Sequence, residues 1–152
     1  LPDGQIITQL VSVGDSIWAF SIGGGWAELD SNDGEVLNRG IIRFGAKVEQ
    51  VWHDSGEWIF GLSHQRIALW NPDSNQLLMD HSKGPIQDAV RTEEGWLITG
   101  WREDLIWRDD QLISAPRDEI GRYIMNHPEL GFIVLDNCNQ WSKFRHSMTE
   151  GT

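Results

Sequence analysis

The chain has 152 residues, 39% hydrophobic and 23% charged, which suits one globular domain and excludes a disordered polymer. A formal net charge of −11 excludes a general nucleic-acid binder, which needs clustered Lys and Arg against phosphates. The same charge disfavours an anionic membrane surface and suits a basic protein partner.

Cys138 is the only cysteine, so no intrachain disulfide and no cysteine-based metal site can form. No apolar run approaches the ~18 residues of a membrane helix, and no signal peptide is visible. A reducing, cytoplasmic setting is the expectation. Nine Trp and sixteen Gly lean the composition towards strands and turns.

Taken in chain order, short apolar runs alternate with turn chemistry. ITQLV (7–11) is followed by SIWAFS (16–21), a Gly23-Gly24-Gly25 tract, WAELD (26–30), the turn DSNDGE (30–35) and VLNR (36–39). The order then recurs: VEQVW (48–52), GEWIFG (56–61), SHQR (63–66), IALWN (67–71), the turn NPDSNQ (71–76) and LLMD (77–80). A third pass reads IQDAV (86–90), GWLITG (95–100), WRED (101–104), LIWRD (105–109) and LISA (112–115). The fourth reads IGRYI (120–124), GFIVLD (131–136), DNCN (136–139) and the weaker QWSKF (140–144). The equivalent markers Ile17, Trp58, Trp96 and Phe132 stand 41, 38 and 36 residues apart.

Runs of four to six residues bounded by Gly, Asp, Asn and Pro predict strands, and Pro72 predicts a turn because it cannot donate to a ladder. Each unit therefore predicts four short antiparallel strands. Four-stranded units of about 40 residues have the period of propeller blades. The expectation is one all-β, β-propeller-like domain over 1–152, with repeats at approximately 5–46, 47–84, 85–119 and 120–152.

The second unit resembles a WD40-type repeat of the divergent bacterial sort. Trp70-Asn71 stands where that family has Trp-Asp, the third unit has Trp107-Arg108, and the first has Leu29-Asp30. Leu1-Pro2-Asp3-Gly4 resembles the turn that precedes a strand in such repeats. The Gly-His dipeptide is absent, so the family's Asp–His–Ser–Trp hydrogen-bond network does not carry over. Four units are few beside the seven usual in that family. The chain is therefore expected to be part of a longer ring or to close one by self-association. The start at Leu1 and the end at HSMTEGT favour an excised part of a longer chain.

The resemblance implies that the first strand of each unit is innermost, with its polar third residue facing a central channel: Gln9, Gln50, Asp88 and Arg122. It also places the loops between second and third strands on one face, with the inter-unit links that carry Arg39, Lys83 and Arg117. Binding residues concentrate on such loops. Trp101 with Arg102 is the pair closest to an interaction hot spot, and His64 and Arg66 join it as candidates.

No catalytic set emerges. The histidines His53, His64, His81, His127 and His146 show no HExxH spacing, and no GxSxG, GxxxxGK[ST] or GxGxxG element is present. Gly23-Gly24-Gly25 precedes a strand, so it is no phosphate cradle at a helix N-terminus. DSNDGE fails the calcium-loop pattern at its fourth and fifth positions and reads as a tight turn. The expected function is a protein- or peptide-binding scaffold without catalytic activity, cofactor or metal. The alternative is a carbohydrate-binding propeller, followed by an enzyme or an acidic inhibitor of a basic protein. The interchange of Trp26, Ile67 and Leu105, and of Trp58 with Ile17 and Phe132, suits core packing better than sugar stacking.

Overall fold

The computed structural model describes residues 6–144. The Leu1-Pro2-Asp3-Gly4 segment and the HSMTEGT end, including His146, lie outside the described residues.

Fifteen strands form four separate antiparallel sheets. The first contains β1 (Ile7–Val13), β2 (Ser16–Ser21), β3 (Gly25–Asp30) and β4 (Val36–Ile41). The second contains β5 (Val48–Asp54), β6 (Glu57–Leu62), β7 (Arg66–Asn71) and β8 (Gln76–His81). The third contains β9 (Ile86–Arg91), β10 (Trp96–Gly100), β11 (Glu103–Arg108) and β12 (Gln111–Pro116). The fourth has three strands among the described residues, β13 (Gly121–His127), β14 (Gly131–Asp136) and β15 (Trp141–Lys143). Every sheet is a meander in chain order.

Turn chemistry fixes each hairpin. Ser55-Gly56 and Asp109-Asp110 each have two consecutive positive φ values, as two-residue turns matched to strand twist require, and His64-Gln65 have the same pair within a three-residue connection. The longer turns start from an acid or amide side chain that captures the backbone. Asp30 Oδ1 accepts from the Asn32 N–H at 2.8 Å, and Asn71 Oδ1 accepts from the Asp73 N–H at 3.0 Å. DSNDGE is thus the tight turn its composition predicts. These two residues occupy the second position of the Trp-Asp-like dipeptide, and here that position holds a turn.

Side chains alternate across each strand, so every sheet presents one face to its predecessor and one to its successor. His53, Trp58, Trp70 and Leu77 are directly paired across the second sheet and face the first. Arg91, Trp96, Trp107 and Leu112 are the equivalent row of the third sheet and face the second. Three cores result, each filling the space between successive sheets. The first is aromatic, with Trp18, Phe20, Phe60 and Trp58 in mutual ring contact at 4.9 to 6.4 Å. The innermost strands contact one another in the succession β1, β5, β9, β13.

Trp58 and Trp96 are 1% and 2% exposed, so they are packing residues and not sugar-stacking platforms. Trp58→Ala is expected to destabilise the fold by about 3–5 kcal/mol, through lost transfer energy and the cavity left behind. Chemical denaturation monitored by far-ultraviolet circular dichroism measures this. A loss below about 1 kcal/mol would contradict the assigned packing.

Candidate functional site

The loops between second and third strands all lie at one end of their sheets. In the first, Gly24 has φ +99°, and a Cβ there would stand 2.1 Å from the Ile42 carbonyl oxygen. The glycine tract therefore serves close backbone packing. In the second loop His64 is exposed, whereas Arg66 is half-buried and donates through Nη1 to the Phe44 carbonyl at 3.4 Å. In the third, Trp101 is 45% exposed and Arg102 is exposed with φ +66°. The Trp101 N–H donates to Pro85 O at 3.2 Å, and the Arg102 carbonyl accepts from the Arg117 N–H at 2.8 Å. The backbone of this loop is thereby fixed, and the base of the Trp101 side chain lies against Gly84.

Beneath it lies a network that sequence reasoning did not find. Arg117, expected on the loop face, has a side chain only 2% exposed. Its Nε and Nη2 donate to Asp104 Oδ1 at 2.9 Å and Oδ2 at 2.8 Å, a two-pronged pair. Thr99 Oγ1 donates to Asp104 at 2.7 Å, and Arg117 Nη1 donates to Ser142 Oγ at 3.0 Å, joining the third sheet to the fourth. Glu103, also buried, accepts from Ser114 Oγ at 2.7 Å and from the Lys83 N–H. Buried charges persist when paired and hydrogen-bonded in this way. The signal available in the sequence was WRED itself, a carboxylate pair in a predicted loop directly before a strand; the structure begins β11 already at Glu103.

The four channel candidates separate into two pairs. Gln9 Nε2 donates to the Glu49 carbonyl at 3.0 Å, and Asp88 Oδ2 accepts from the Ile124 N–H at 2.8 Å. Each thus ties one innermost strand to the next. Gln50 and Arg122 are exposed, and Arg122 lies 5.8 Å from the Tyr123 ring centre. Burial raises the Asp88 carboxyl above its usual range, against the pull of the Ile124 and Ala89 N–H groups. A raised folded-state value means that the native chain holds this proton more tightly than the unfolded one. The contribution is full below the ordinary carboxylate value and is lost as pH rises through the raised one. The stability of the parent relative to Asp88→Asn should therefore fall as pH rises from about 4. Paired urea melts across this range test the sign, and a difference that grows with pH would refute it.

A cleft of about 680 Å³ opens between the first and second sheets, with a lining that runs from the Ile42–Arg43 link to the Pro72–Asn75 turn. Trp18, Trp26, Trp58 and Trp70 form its aromatic lining. Trp18 and Trp26 stack at 5.1 Å with 18° between planes, and Trp26 lies over Gly40, where a Cβ would stand 2.8 Å from its Nε1. Glu28 lies on the same sheet face, directly opposite Trp18. It accepts from Ser16 Oγ at 2.8 Å and from Asn38 Nδ2 at 3.5 Å. The His53 ring lies against Trp58 at 4.4 Å, tilted by 51°, and burial lowers its pKa despite Asp54. A second cleft, of about 760 Å³, lies between the third and fourth sheets beside Glu93, Glu94 and Phe132.

Among the described residues no group of three His, Cys, Asp or Glu is placed to hold a metal ion. Cys138 is exposed, and the neighbouring Glu119 carboxylate pushes its thiol away from the reactive thiolate form. No helix of the described residues is long and apolar enough to cross a membrane.

No protein-family model and no curated protein matches the chain. Solved structures do. The designed Ika4 protein superposes with a TM-score of 0.68 at 11% identity, over 93% of this chain and 91% of its own. The designed Ika8 protein gives 0.68 at 11% identity, over 89% of this chain but 44% of its own. The Neurospora crassa Pan2 WD40 domain gives 0.62 at 10% identity, over 90% of this chain and 46% of its own. The fold is a WD40-like β-propeller. The chain spans under half the length of Ika8 and of the Pan2 domain.

Proposed function

We propose that the chain is a protein-binding scaffold, part of a propeller ring that a second copy completes, in the reducing cytoplasm. The observation that carries this reading is where apolar surface remains exposed. Of thirteen large hydrophobic side chains exposed among the described residues, six lie within residues 6–41 and four within 123–141. Only Met79, Trp101 and Ile113 lie between. The first sheet's row Ile17, Leu29 and Val36 is equivalent to Trp58, Trp70 and Leu77, which a preceding sheet covers. Tyr123, Met125 and Trp141, each more than half exposed, lie on the fourth sheet's face turned away from the third. Apolar surface concentrated in this way is a protein contact. Two copies can place the fourth sheet of each on the first sheet of the other, an arrangement with closed two-fold symmetry.

Sedimentation at about 50 μM is expected to give about 35 kDa, twice the 17.3 kDa chain. The pair Leu10→Lys with Tyr123→Lys should give a monomer that keeps its circular dichroism. A parent chain that remains monomeric at that concentration would refute closure by a second copy.

The loop end supplies the surface for a further partner, a protein or peptide, through Trp101, Arg102 and His64. The chain's acidity favours a basic one and makes association sensitive to salt. Trp101→Ala with Arg102→Ala should weaken capture of such a partner at least tenfold without changing the melting profile, as truncated hot spots do. Specific Trp-dependent signals on a glycan array with no protein captured would replace this reading with the carbohydrate-binding one.

A further inference from the structure

The cleft between the first and second sheets differs from its neighbour in one respect. The interface of the second and third sheets contains a cation of its own. Arg91 Nε donates to Glu57 Oε1 at 2.6 Å, and the Trp96 indole N–H donates to the same oxygen at 3.2 Å. Arg91 heads the row Arg91, Trp96, Trp107, Leu112. The equivalent row one sheet earlier is His53, Trp58, Trp70, Leu77, so His53 occupies the place of Arg91.

Burial lowers the His53 pKa, so a charge is disfavoured where the third sheet has a permanent cation. The facing carboxylate is nevertheless present. The equivalent of Glu57 is Ser16, and its hydroxyl holds Glu28. Glu28 itself stands where the second sheet has Leu69 and the third has Ile106, positions that face the next sheet. A carboxylate has thus replaced a packing residue. Among the described residues Glu28 has no ion-pair partner, whereas Glu57 pairs with Arg91 and Asp104 with Arg117. The remaining charged groups lining the cleft are Arg43, which is exposed, and Asp73, with Asp54 next to His53.

We infer that this cleft is a binding site for a cationic side chain, an Arg guanidinium or Lys ammonium presented by a protein partner. This rests on the reading of the chain as a protein-binding scaffold and gives that partner a chemistry. The cation meets Glu28 from the cleft, beside His53, which holds the place that Arg91 fills in the next interface. Indole faces are the strongest aromatic partners for a cation, and here they flank a carboxylate already oriented by Ser16 and Asn38. Such a site is preorganised, so little ordering is required on binding. The net charge of −11 draws the cation towards it.

The test uses the whole chain and three probes: a blocked Ala-Arg-Ala peptide, its citrulline counterpart, and methyl glucoside. Indole N–H resonances are followed by nuclear magnetic resonance. The arginine peptide should shift the Trp18 and Trp26 signals saturably, and should bind at least tenfold more tightly than the citrulline peptide. Glu28→Gln preserves shape and should lose at least tenfold in affinity. His53→Arg supplies the missing cation internally and should abolish binding while the chain stays folded. Equal binding of the citrulline peptide, tighter binding of the glucoside, or full affinity in Glu28→Gln would each overturn the proposal. Sedimentation of Glu28→Gln separates this outcome from failure of the scaffold reading, because closure by a second copy uses other faces.

Discussion

Everything in this molecule depends on covering a sheet that is apolar on both faces. A four-stranded meander in water exposes one row of side chains on each side, and no helix is available among the described residues to shield either. The only cover the chain provides is another copy of the same unit. Each core is consequently built from two repeats, and none belongs to one repeat alone. Cooperativity is then nearest-neighbour in character, as in other repeat proteins. The row that includes Trp58 and Trp70 stabilises the first sheet as much as the second.

Packing fixes the spacing of the sheets but not their rotation, and polar groups supply that second constraint. Gln9 and Asp88 each bond to the backbone of the next innermost strand, which ties the first sheet to the second and the third to the fourth. On the loop side the Asp104–Arg117 pair and Ser142 hold the third sheet against the fourth. WD40-type repeats commonly rely on a network within one repeat, and this chain lacks the Gly-His dipeptide it needs. The buried ion pair here lies within the third repeat, and its Arg117 reaches across to Ser142 of the fourth. Its geometry is directional where aromatic stacking is not, so it selects one mutual orientation of the sheets.

The fold was legible in the sequence because its signals are local and repeated. Strand runs, Asn and Asp turns and a recurring marker each appear three or four times, and agreement between copies compensates for weak individual motifs. What escaped the sequence are partners distant along the chain. Arg117 follows a strand like any link residue, and nothing beside it in sequence marks its pairing with Asp104, 13 positions earlier, or its bond to Ser142 of the fourth repeat. Gln9 and Asp88 lie on the innermost strands, and their acceptor and donor are 40 and 36 positions away. The loop candidates Trp101, Arg102 and His64 are exposed, as loop residues are, whereas Arg66 is partly committed to the Phe44 carbonyl.

The informative positions in such a chain are those where one copy departs from the others against the demands of packing. A leucine at 69 and an isoleucine at 106 show what the position of Glu28 ordinarily does. A carboxylate there gives up apolar contact and requires Ser16 and Asn38 to satisfy it. Across the interface stands His53, where the first sheet has Ser12, the third Arg91 and the fourth Asn126, so a cation at that place is particular to the third sheet. What sets the cleft apart is therefore the acid. An apolar residue would pack better there, yet Glu28 is held oriented by Ser16 and Asn38, beside indole rings and without an ion-pair partner among the described residues.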